Sequence, residues 1–473
     1  MVALGSISSW QPGRGAVTTW TASLDSRRLA QRAERDPLPP SPQQARHLWA
    51  MRAGAGELPR LIVVAWDIPG HCDIAAMTAA VNAHVRRHDT YHSMFEFEND
   101  TIVRHTIDAA DIKFAPKSFG PMDADQIRAH SLQTTPCALS WDCFTFGIVQ
   151  QQDHFTFYAS VDHLHFDLTS STLVFVDIHL AYHDLVRGQT VALPAAGSYR
   201  DYTEDRQAKV ADMTLHSPAI KDWIAFADAA DGDWPSFPLP LGDTSSHHRG
   251  DFLTLQLLDT EQTESFDIVC REAGARFSGG VMACAALADH EFTGGSTFHG
   301  FTPSDTRTAA ERLTLGWCAS LFPVTVPIGD GGFGATVRAA QQSFDASKPL
   351  GDVPFERVLQ LASADGPEVA LPTQLPMMLS YMDFRSVPVA ELWAHAGFGV
   401  YAENLSFGGV NTWITRHAGG TDITVSFPDN PDARRSVRTY TAALARVFGD
   451  VAAVTGAWID EITRHAKTSS TPA

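Results

Sequence analysis

Positive charge is scarce in this sequence of 473 residues. Thirty-five lysine and arginine residues stand against 54 aspartate and glutamate residues, which gives a formal net charge of −19 at pH 7. An excess of acidic residues argues against a broad basic footprint for nucleic acid and against electrostatic attachment to anionic lipid. Apolar residues make up 44% of the chain, which excludes a disordered protein. At about 150 residues per domain, the length predicts two or three domains.

Paired cysteines and long apolar runs are also missing. The six cysteines are scattered without a C-x-x-C pair, so neither a zinc ribbon nor a redox motif fits, and we expect buried thiols. No apolar run approaches 18 residues, so no membrane-spanning helix is predicted. The first 15 residues lack the basic and apolar regions of a secretory signal. We therefore expect a cytoplasmic protein.

Hydrophobic periodicity predicts alternating helices and strands in the first half of the chain. Residues 1–45 read as loop because four prolines cluster near their end. Strands are then predicted over 61–68, 144–150 and 154–161, and a hairpin over 94–107. Helices are predicted from an Asp73 N-cap to about 88, over 123–133, and from 168 to about 187.

A segment rich in proline, glycine and aspartate separates two similar halves. We predict an N-terminal lobe over 1–195, a linker over 196–250 and a C-terminal lobe over 251–473. In the second half, strands are predicted over 253–258, 297–303, 323–328, 376–383 and 421–428. Helices are predicted over 260–273, 279–290, 334–347 and 434–448. Helices and strands are mixed in both halves, which indicates two related α+β lobes.

The segment SVDHLHFDL at 160–168 is the strongest chemical signal. A β-rich run ends at Asp162-His163, and Asp167 follows four positions after His163. A histidine at a strand end can act as a general base at neutral pH, which is typically worth about 10²–10⁴-fold in rate. An isolated H-x-x-x-D is short and common, however, and a histidine that only packs there is the alternative.

Further blocks connect this segment to a known superfamily. It resembles the HHxxxDG motif of the condensation-domain and chloramphenicol-acetyltransferase-like enzymes. Similar blocks are AVNAHVRRHDTYHSMFEF at 80–97, SWDCFTFGIVQ at 140–150, FTPSDTRTAAERLTLGWCASLFPVTVPI at 301–328 and VPFERVLQL at 353–361. Within the superfamily, HFTFYASVDHLHFD at 154–167, FPLPLGD at 237–243, GARFSGGV at 274–281 and SFPDNP at 426–431 resemble mycobacterial polyketide-associated acyltransferases that acylate trehalose. The resemblance runs from about 20 to 448.

This resemblance implies a fold and a reaction. Each of two α+β lobes would hold a mostly antiparallel mixed sheet flanked by helices, with the active site in a tunnel between them. His163 would deprotonate a sugar hydroxyl, which attacks an acyl thioester. Main-chain N–H groups near Asp167 and Leu168 would stabilise the oxyanion. Coenzyme A or a carrier protein would bear the acyl group, and neither a metal nor a redox cofactor is implied.

The resemblance also assigns supporting residues. Asp167 would pair with Arg307 of the second lobe in an inter-lobe strut that holds the His163 loop, since a lone buried carboxylate is costly. Two positions depart from the motif. Asp162 replaces its first histidine, and it would orient a ring nitrogen of a neighbouring group, cap the backbone, face solvent or contact the substrate. Leu168, a further candidate for substrate contact, replaces the motif glycine. Because glycine permits unusual backbone angles, we expect a different turn and acceptor pocket at Leu168.

Other side chains are candidates for substrate contact. His165 would bind acceptor hydroxyls or pack in the loop, and Trp317 would line the acyl channel or the core. Tyr381 lies in a segment that bridges the lobes in the superfamily. His84, His88 and His92 have a spacing that can hold a metal. No carboxylate or cysteine completes the set in the sequence, so no metal site is predicted.

The resemblance thus implies an O-acyltransferase of glycolipid biosynthesis in a mycobacterial cell envelope. It would move a long-chain fatty or polyketide acyl group to trehalose or to sulfated or acylated trehalose. The alternatives are a different alcohol or diol, or a non-catalytic binding protein, which the Leu168 substitution keeps open. The expected protein is a monomer that binds no nucleic acid and attaches at most peripherally to the inner membrane face. A polyketide synthase or lipid transporter would be its partner.

Overall fold

The computed structural model describes residues 3–53, 60–229, 235–243, 249–329, 331–365, 377–387, 389–403 and 409–454. The strands in this part of the chain are β1 (Ala3–Ser6), β2 (Gly15–Ala22), β3 (Glu34–Asp36), β4 (Leu61–Pro69), β5 (Ser93–Glu98), β6 (Thr101–Thr106), β7 (Phe114–Met122), β8 (Phe144–Gln150), β9 (His154–Asp162), β10 (Gly250–Leu258), β11 (Thr297–Asp305), β12 (Ala319–Pro327), β13 (Met378–Asp383), β14 (Gly399–Ala402), β15 (Asn411–His417) and β16 (Gly420–Pro428). The helices are α1 (Leu24–Ala30), α2 (Pro42–Ala53), α3 (Ile74–Arg87), α4 (Ala124–Gln133), α5 (Leu168–Val186), α6 (Tyr199–Ala211), α7 (Pro218–Ala229), α8 (Thr260–Glu272), α9 (Phe277–Thr293), α10 (Gly332–Ser347), α11 (Phe355–Asp365), α12 (Ala390–Ala396) and α13 (Pro431–Ala452).

Packing divides the chain into two units, each made of separate stretches of sequence. The first unit comprises Met1–Thr214, Asp305–Ser320 and Pro388–Ser406. The second comprises Leu215–Ser304, Leu321–Val387 and Phe407–Ala473. Two stretches of the predicted C-terminal lobe therefore belong to the first unit.

The predicted linker at 196–250 contains the two helices α6 and α7, apart from 230–234 and 244–248, which lie outside the described residues. Helix α6 is fixed to the first unit because the Asp89 carboxylate accepts the main-chain N–H of Tyr199 at 2.7 Å. Helix α7 packs Trp223 against Phe301 and Phe355 of the second unit. Both helices thus carry buried contacts that composition alone does not reveal.

A seven-stranded sheet forms the centre of the first unit, in the order β1-β14-β4-β9-β8-β2-β7. The β1–β14 pair is parallel, and the other neighbours are antiparallel. Helices α3 and α5 pack against each other. Strands β3, β6 and β5 form a small separate sheet. In the register of β4 with β9, Leu61 faces Asp162, so the motif begins where the pairing ends.

The second unit contains a six-stranded mixed sheet in the order β10-β16-β15-β13-β11-β12. The β10–β16 and β16–β15 pairs are antiparallel, whereas β15–β13 and β13–β11 are parallel. Helices α8, α9, α10 and α13 pack beside one another. Two α+β units with mixed sheets confirm the predicted fold class.

The prediction of loop over residues 1–45 was wrong. Strand β2 pairs with β7 on one side and β8 on the other, and Val17 and Trp20 are fully buried. Proline clustering is confined to the stretch after α1, so it gave no information about the residues before it. By contrast, Asp73 caps α3 as predicted by accepting the main-chain N–H groups of Ala75 and Ala76.

Exposure of the cysteines differs partly from expectation. Cys143, Cys270, Cys284 and Cys318 are buried, but Cys72 is half-buried and Cys137 is exposed. Among the described residues, no helix combines the length and apolar character needed to cross a membrane.

Candidate active site

The loop after β9 is fixed at both ends by carboxylates. His163–His165 forms a single 3₁₀ turn, and Asp162 caps it by accepting the main-chain N–H of Leu164 at 3.0 Å. Asp167 caps α5 by accepting the main-chain N–H of Ser170 at 2.8 Å. The main-chain N–H of His163 donates to the carbonyl of Arg60 at 2.8 Å. The backbone on both sides of the His163 ring is therefore held in place.

His163 is half-buried, and its environment keeps the ring neutral. Burial, followed by the charge of the nearby His47, lowers the pKa of His163 to about 4. Its Nδ1 atom is buried without a hydrogen-bond partner among the described residues. The exposed part of the ring therefore includes the Nε2 side. At neutral pH this imidazole is unprotonated and can accept a proton from a hydroxyl group.

Two aromatic rings accompany His163. The ring centroid of Trp317 lies 4.1 Å from that of His163. The His47 ring lies 6.5 Å from His163 and 6.0 Å from Trp317. Trp317 belongs to the 305–320 stretch of the first unit, so all three rings come from one unit.

Sequence reasoning missed His47. This residue lies on α2, where Gln44, His47 and Leu48 are buried at helical spacing. That spacing was the only available signal, and it does not distinguish a histidine in a core from a histidine in a site.

Asp162 holds the missed histidine. Its Oδ1 atom accepts a hydrogen bond from His47 Nε2 at 2.8 Å, and its side chain is fully buried. Its Oδ2 atom lies 3.6 Å from Arg60 Nη1. Because the carboxylate has no exposed surface, Asp162 is placed to orient His47 rather than to touch a substrate.

Asp167 and Arg307 meet as expected, but within one unit. Arg307 Nη1 lies 2.9 Å from Asp167 Oδ2, and Nη2 donates to Asp167 Oδ1 at 3.0 Å. The Asp167 carboxylate also accepts the Ser170 hydroxyl at 2.8 Å and the main-chain N–H of Cys318 at 2.9 Å. Burial raises the pKa of Asp167, and these donors, led by Arg307, reverse that effect and leave it below its usual value.

The description of this pair as an inter-lobe strut was therefore wrong. The 305–320 stretch packs on the first unit, because Arg307 and the main chain at Gly316 and Cys318 bind the start of α5. Arg307 also donates to the carbonyls of Thr314 and Gly316. The pair fixes this stretch to the His163 loop inside the unit.

Leu168 causes no backbone strain. It is the first residue of α5, and among the described non-glycine residues only Asn99 has a positive φ. A helical residue needs none of the backbone freedom of glycine, so leucine fits here. A different acceptor pocket at this position stays a prediction.

His165 and Tyr381 lie in other surroundings. His165 is fully buried, and its Nδ1 is 2.9 Å from the Thr90 hydroxyl. Of the two roles considered for His165, packing in the loop agrees with this burial. Tyr381 is a residue of the second unit, where its ring stacks on Phe277 at 5.3 Å.

A buried carboxylate does complete the histidine cluster of α3, contrary to the sequence analysis. Asp177 Oδ2 is 3.1 Å from His84 Nδ1 and 2.7 Å from His88 Nε2, whereas His92 bonds the carbonyl of Val85. These three groups could converge on a metal. However, Arg87 Nε lies 3.1 Å from the same Asp177 oxygen, and its positive charge opposes a cation there.

Comparison with known proteins identifies the family. The family model for the condensation domain matches residues 38–368. Trehalose-2-sulfate acyltransferase PapA2 of Mycobacterium tuberculosis (strain ATCC 25618 / H37Rv) is 44% identical over 458 residues, which cover 95% of this chain and 97% of that protein. Acyltransferase PapA3 of the same strain is 41% identical over 460 residues, covering 95% and 96%.

The solved structure of a PapA2 acyl transferase is also similar. It superposes with a TM-score of 0.90 at 43% identity and covers 96% of this chain and 100% of that chain. The resemblance inferred from the motif blocks is thereby confirmed over nearly the full length. The chain belongs to the condensation-domain family.

Proposed function

We propose that this protein is an O-acyltransferase that moves a long-chain acyl group from a thioester to a hydroxyl of trehalose or of a sulfated or acylated trehalose. The observation that carries the proposal is the neutral, half-buried His163 on a loop fixed at both ends. Identity of 44% with a protein named trehalose-2-sulfate acyltransferase supports the choice of acceptor.

The transfer needs one base that later acts as an acid. His163 Nε2 takes the hydroxyl proton while the hydroxyl oxygen bonds the thioester carbonyl carbon, giving a tetrahedral oxyanion. The carbon–sulfur bond then breaks, and the thiolate takes the proton back from the imidazolium. The ester and the free thiol are the products, and His163 returns to its neutral form.

The environment of His163 suits the second half of this cycle. A pKa of about 4 leaves the ring unprotonated at neutral pH, so no enzyme is lost to the inactive imidazolium form. The same low pKa makes the imidazolium a strong acid relative to a thiol with a pKa of about 8.5. Protonation of the leaving thiolate is therefore strongly downhill.

Release of coenzyme A from palmitoyl-coenzyme A tests the proposal. We expect thiol release that requires trehalose in the wild type and falls about 10²–10⁴-fold in His163→Ala. His165→Asn is the matched control, since this neighbouring histidine is buried against Thr90. Full activity in His163→Ala would remove the mechanism. Release that requires His163 but ignores trehalose would keep the chemistry and discard the acceptor.

The same assay tests whether the reaction needs a metal ion. General-base transfer from a thioester is complete without a metal, so we propose that the enzyme uses none. Dialysis against EDTA should leave trehalose-dependent thiol release unchanged. Loss of thiol release that added Zn²⁺ reverses would contradict this proposal. The cluster of His84, His88 and Asp177 would then be the first candidate for the metal site.

A further inference from the structure

His47 is held in one orientation. Its Nε2 atom is 2.8 Å from Asp162 Oδ1, and both side chains are at least 95% buried. A carboxylate oxygen can only accept, so Nε2 carries the proton and donates it. The other ring nitrogen, Nδ1, is not bound by this carboxylate, and it accepts a hydrogen bond in the neutral ring or donates one in the imidazolium.

The Nδ1 atom of His47 makes no hydrogen bond with the described residues, and it is not fully buried. The 5% of the side chain that remains exposed therefore includes this nitrogen. The ring it belongs to faces His163 at 6.5 Å and Trp317 at 6.0 Å. Two imidazole rings thus lie close together in the first unit, each with a nitrogen that bonds no described residue.

The cap on Leu164 accounts for Asp162 but not for the histidine that it holds. Burying the Asp162 carboxylate costs desolvation energy that an apolar pair would avoid, and its Oδ2 atom lacks a hydrogen bond among the described residues. Carboxylates that hold an imidazole by one nitrogen fix the direction of the other nitrogen, as they do for histidines that bind metals. Here the ring so fixed lies 6.5 Å from the ring of the general base.

We propose that His47 Nδ1 forms a hydrogen bond with a second hydroxyl of the acceptor, adjacent to the hydroxyl that His163 deprotonates. Asp162 is the positioning residue for this contact. The inference rests on the proposed function and adds to it a residue that recognises a second hydroxyl of the acceptor. Two ring nitrogens at one site fit a polyol with neighbouring hydroxyls, whereas a simple alcohol can satisfy only one of them.

The proposal predicts coupling between His47 and one hydroxyl of the sugar. The variant His47→Gln keeps an amide N–H that can donate to Asp162 but has no atom in place of Nδ1. The acceptors are trehalose and the set of its monodeoxy analogues, with palmitoyl-coenzyme A as donor. We expect one analogue to lose about 10- to 100-fold in kcat/KM with the wild type, as happens when a hydrogen-bonded hydroxyl is removed.

In His47→Gln, kcat/KM for trehalose should fall by a similar factor, through a rise in KM. Because the contact is already lost in this variant, kcat/KM for the critical analogue should be little lower than that for trehalose. Equal losses for every analogue in both proteins would overturn the inference while leaving the proposed function intact. Absence of trehalose-dependent release in the wild type would instead overturn the proposed function, and the inference with it.

A second measurement uses the wild-type protein and does not depend on folding of the glutamine variant. In protein labelled with ¹⁵N-histidine, trehalose should shift the Nδ1 resonance of His47, assigned by its disappearance in His47→Asn. An unchanged resonance at saturating trehalose would overturn the proposed contact.

Discussion

Asp167 and Arg307 are joined by two parallel contacts between carboxylate and guanidinium, at 2.9 and 3.0 Å, and both side chains are more than 90% buried. A planar guanidinium fits this arrangement and leaves Nε to bind the carbonyl of Thr314. The pair joins the start of α5 to the stretch that carries Trp317, so it sets the positions of two of the three rings at the site.

Removal of one charge from this pair should destabilise the protein strongly. Asp167→Asn leaves the Arg307 charge buried without its partner, and such changes cost about 3–5 kcal/mol. Urea denaturation, followed through the unfolding transition of the first unit, would measure the decrease in the free energy of unfolding. Asp305→Asn is the control, because the Asp305 side chain is 45% exposed and should contribute about 1 kcal/mol or less. Equal losses in the two variants would contradict a special role for Asp167.

The pH dependence of the reaction should reflect the low pKa of His163. A base with a pKa of about 4 is neutral above that pH, so kcat/KM should be nearly constant from pH 7.5 to 5.5. A histidine with the ordinary pKa of about 6.5 would lose close to tenfold over this range. A steady-state pH profile with a constant thioester concentration distinguishes the two. A fall centred near pH 6.5 would show that His163 is more hydrated than its surroundings indicate.

Trp317 should control that hydration. Its ring covers His163 at 4.1 Å, and burial is the main reason for the lowered pKa of His163. Trp317→Ala should admit water, raise the pKa of His163 toward 6.5 and move the acid limb of the profile upward by about one pH unit or more. Trp317→Phe retains an aromatic cover and should move it less. If the acid limb is unchanged in Trp317→Ala, residues other than Trp317 cause the lowered pKa of His163.

Acid should destabilise the fold through buried histidines. Burial lowers the pKa of both His163 and His165 to about 4, so between pH 6.5 and 4 the unfolded chain binds protons that the folded chain does not. The unfolding free energy must then fall as pH falls, with up to about 1.4 kcal/mol per pH unit from each histidine. His165→Asn keeps a polar group for Thr90 and removes one of these contributions. Denaturant titrations at pH 7, 6 and 5 should show a shallower decline in this variant, and an identical decline would contradict the assignment.

Features of the structure that depend on a few adjacent residues were predicted correctly from the sequence. The Asp73 cap of α3 and the position of His163 at a strand end follow from a few adjacent residues, and both agree with the structure. The pairing of Asp167 with Arg307 came from resemblance, because the two residues are 140 positions apart and no periodicity connects them.

Other features depend on partners that are distant in sequence. His47 becomes a site residue only because Asp162 and His163 come next to α2, and β2 is a strand only because β7 and β8 flank it. The assignment of 305–320 to the first unit likewise depends on main-chain bonds to Ser170 and Asp167. Composition and spacing contain no information about such neighbours.

The position of β14 has a consequence for synthesis on the ribosome. Residues Gly399–Ala402 insert between β1 and β4, which are made long before them. At about 5–20 residues per second, roughly 15–65 s separate translation of Pro69 from that of Gly399. Throughout this interval the facing edges of β1 and β4 lack their partner, and unpaired edges invite association with other chains. The sheet of the first unit can therefore close only after most of the chain has been synthesised, whereas a sheet built from one continuous stretch could close earlier.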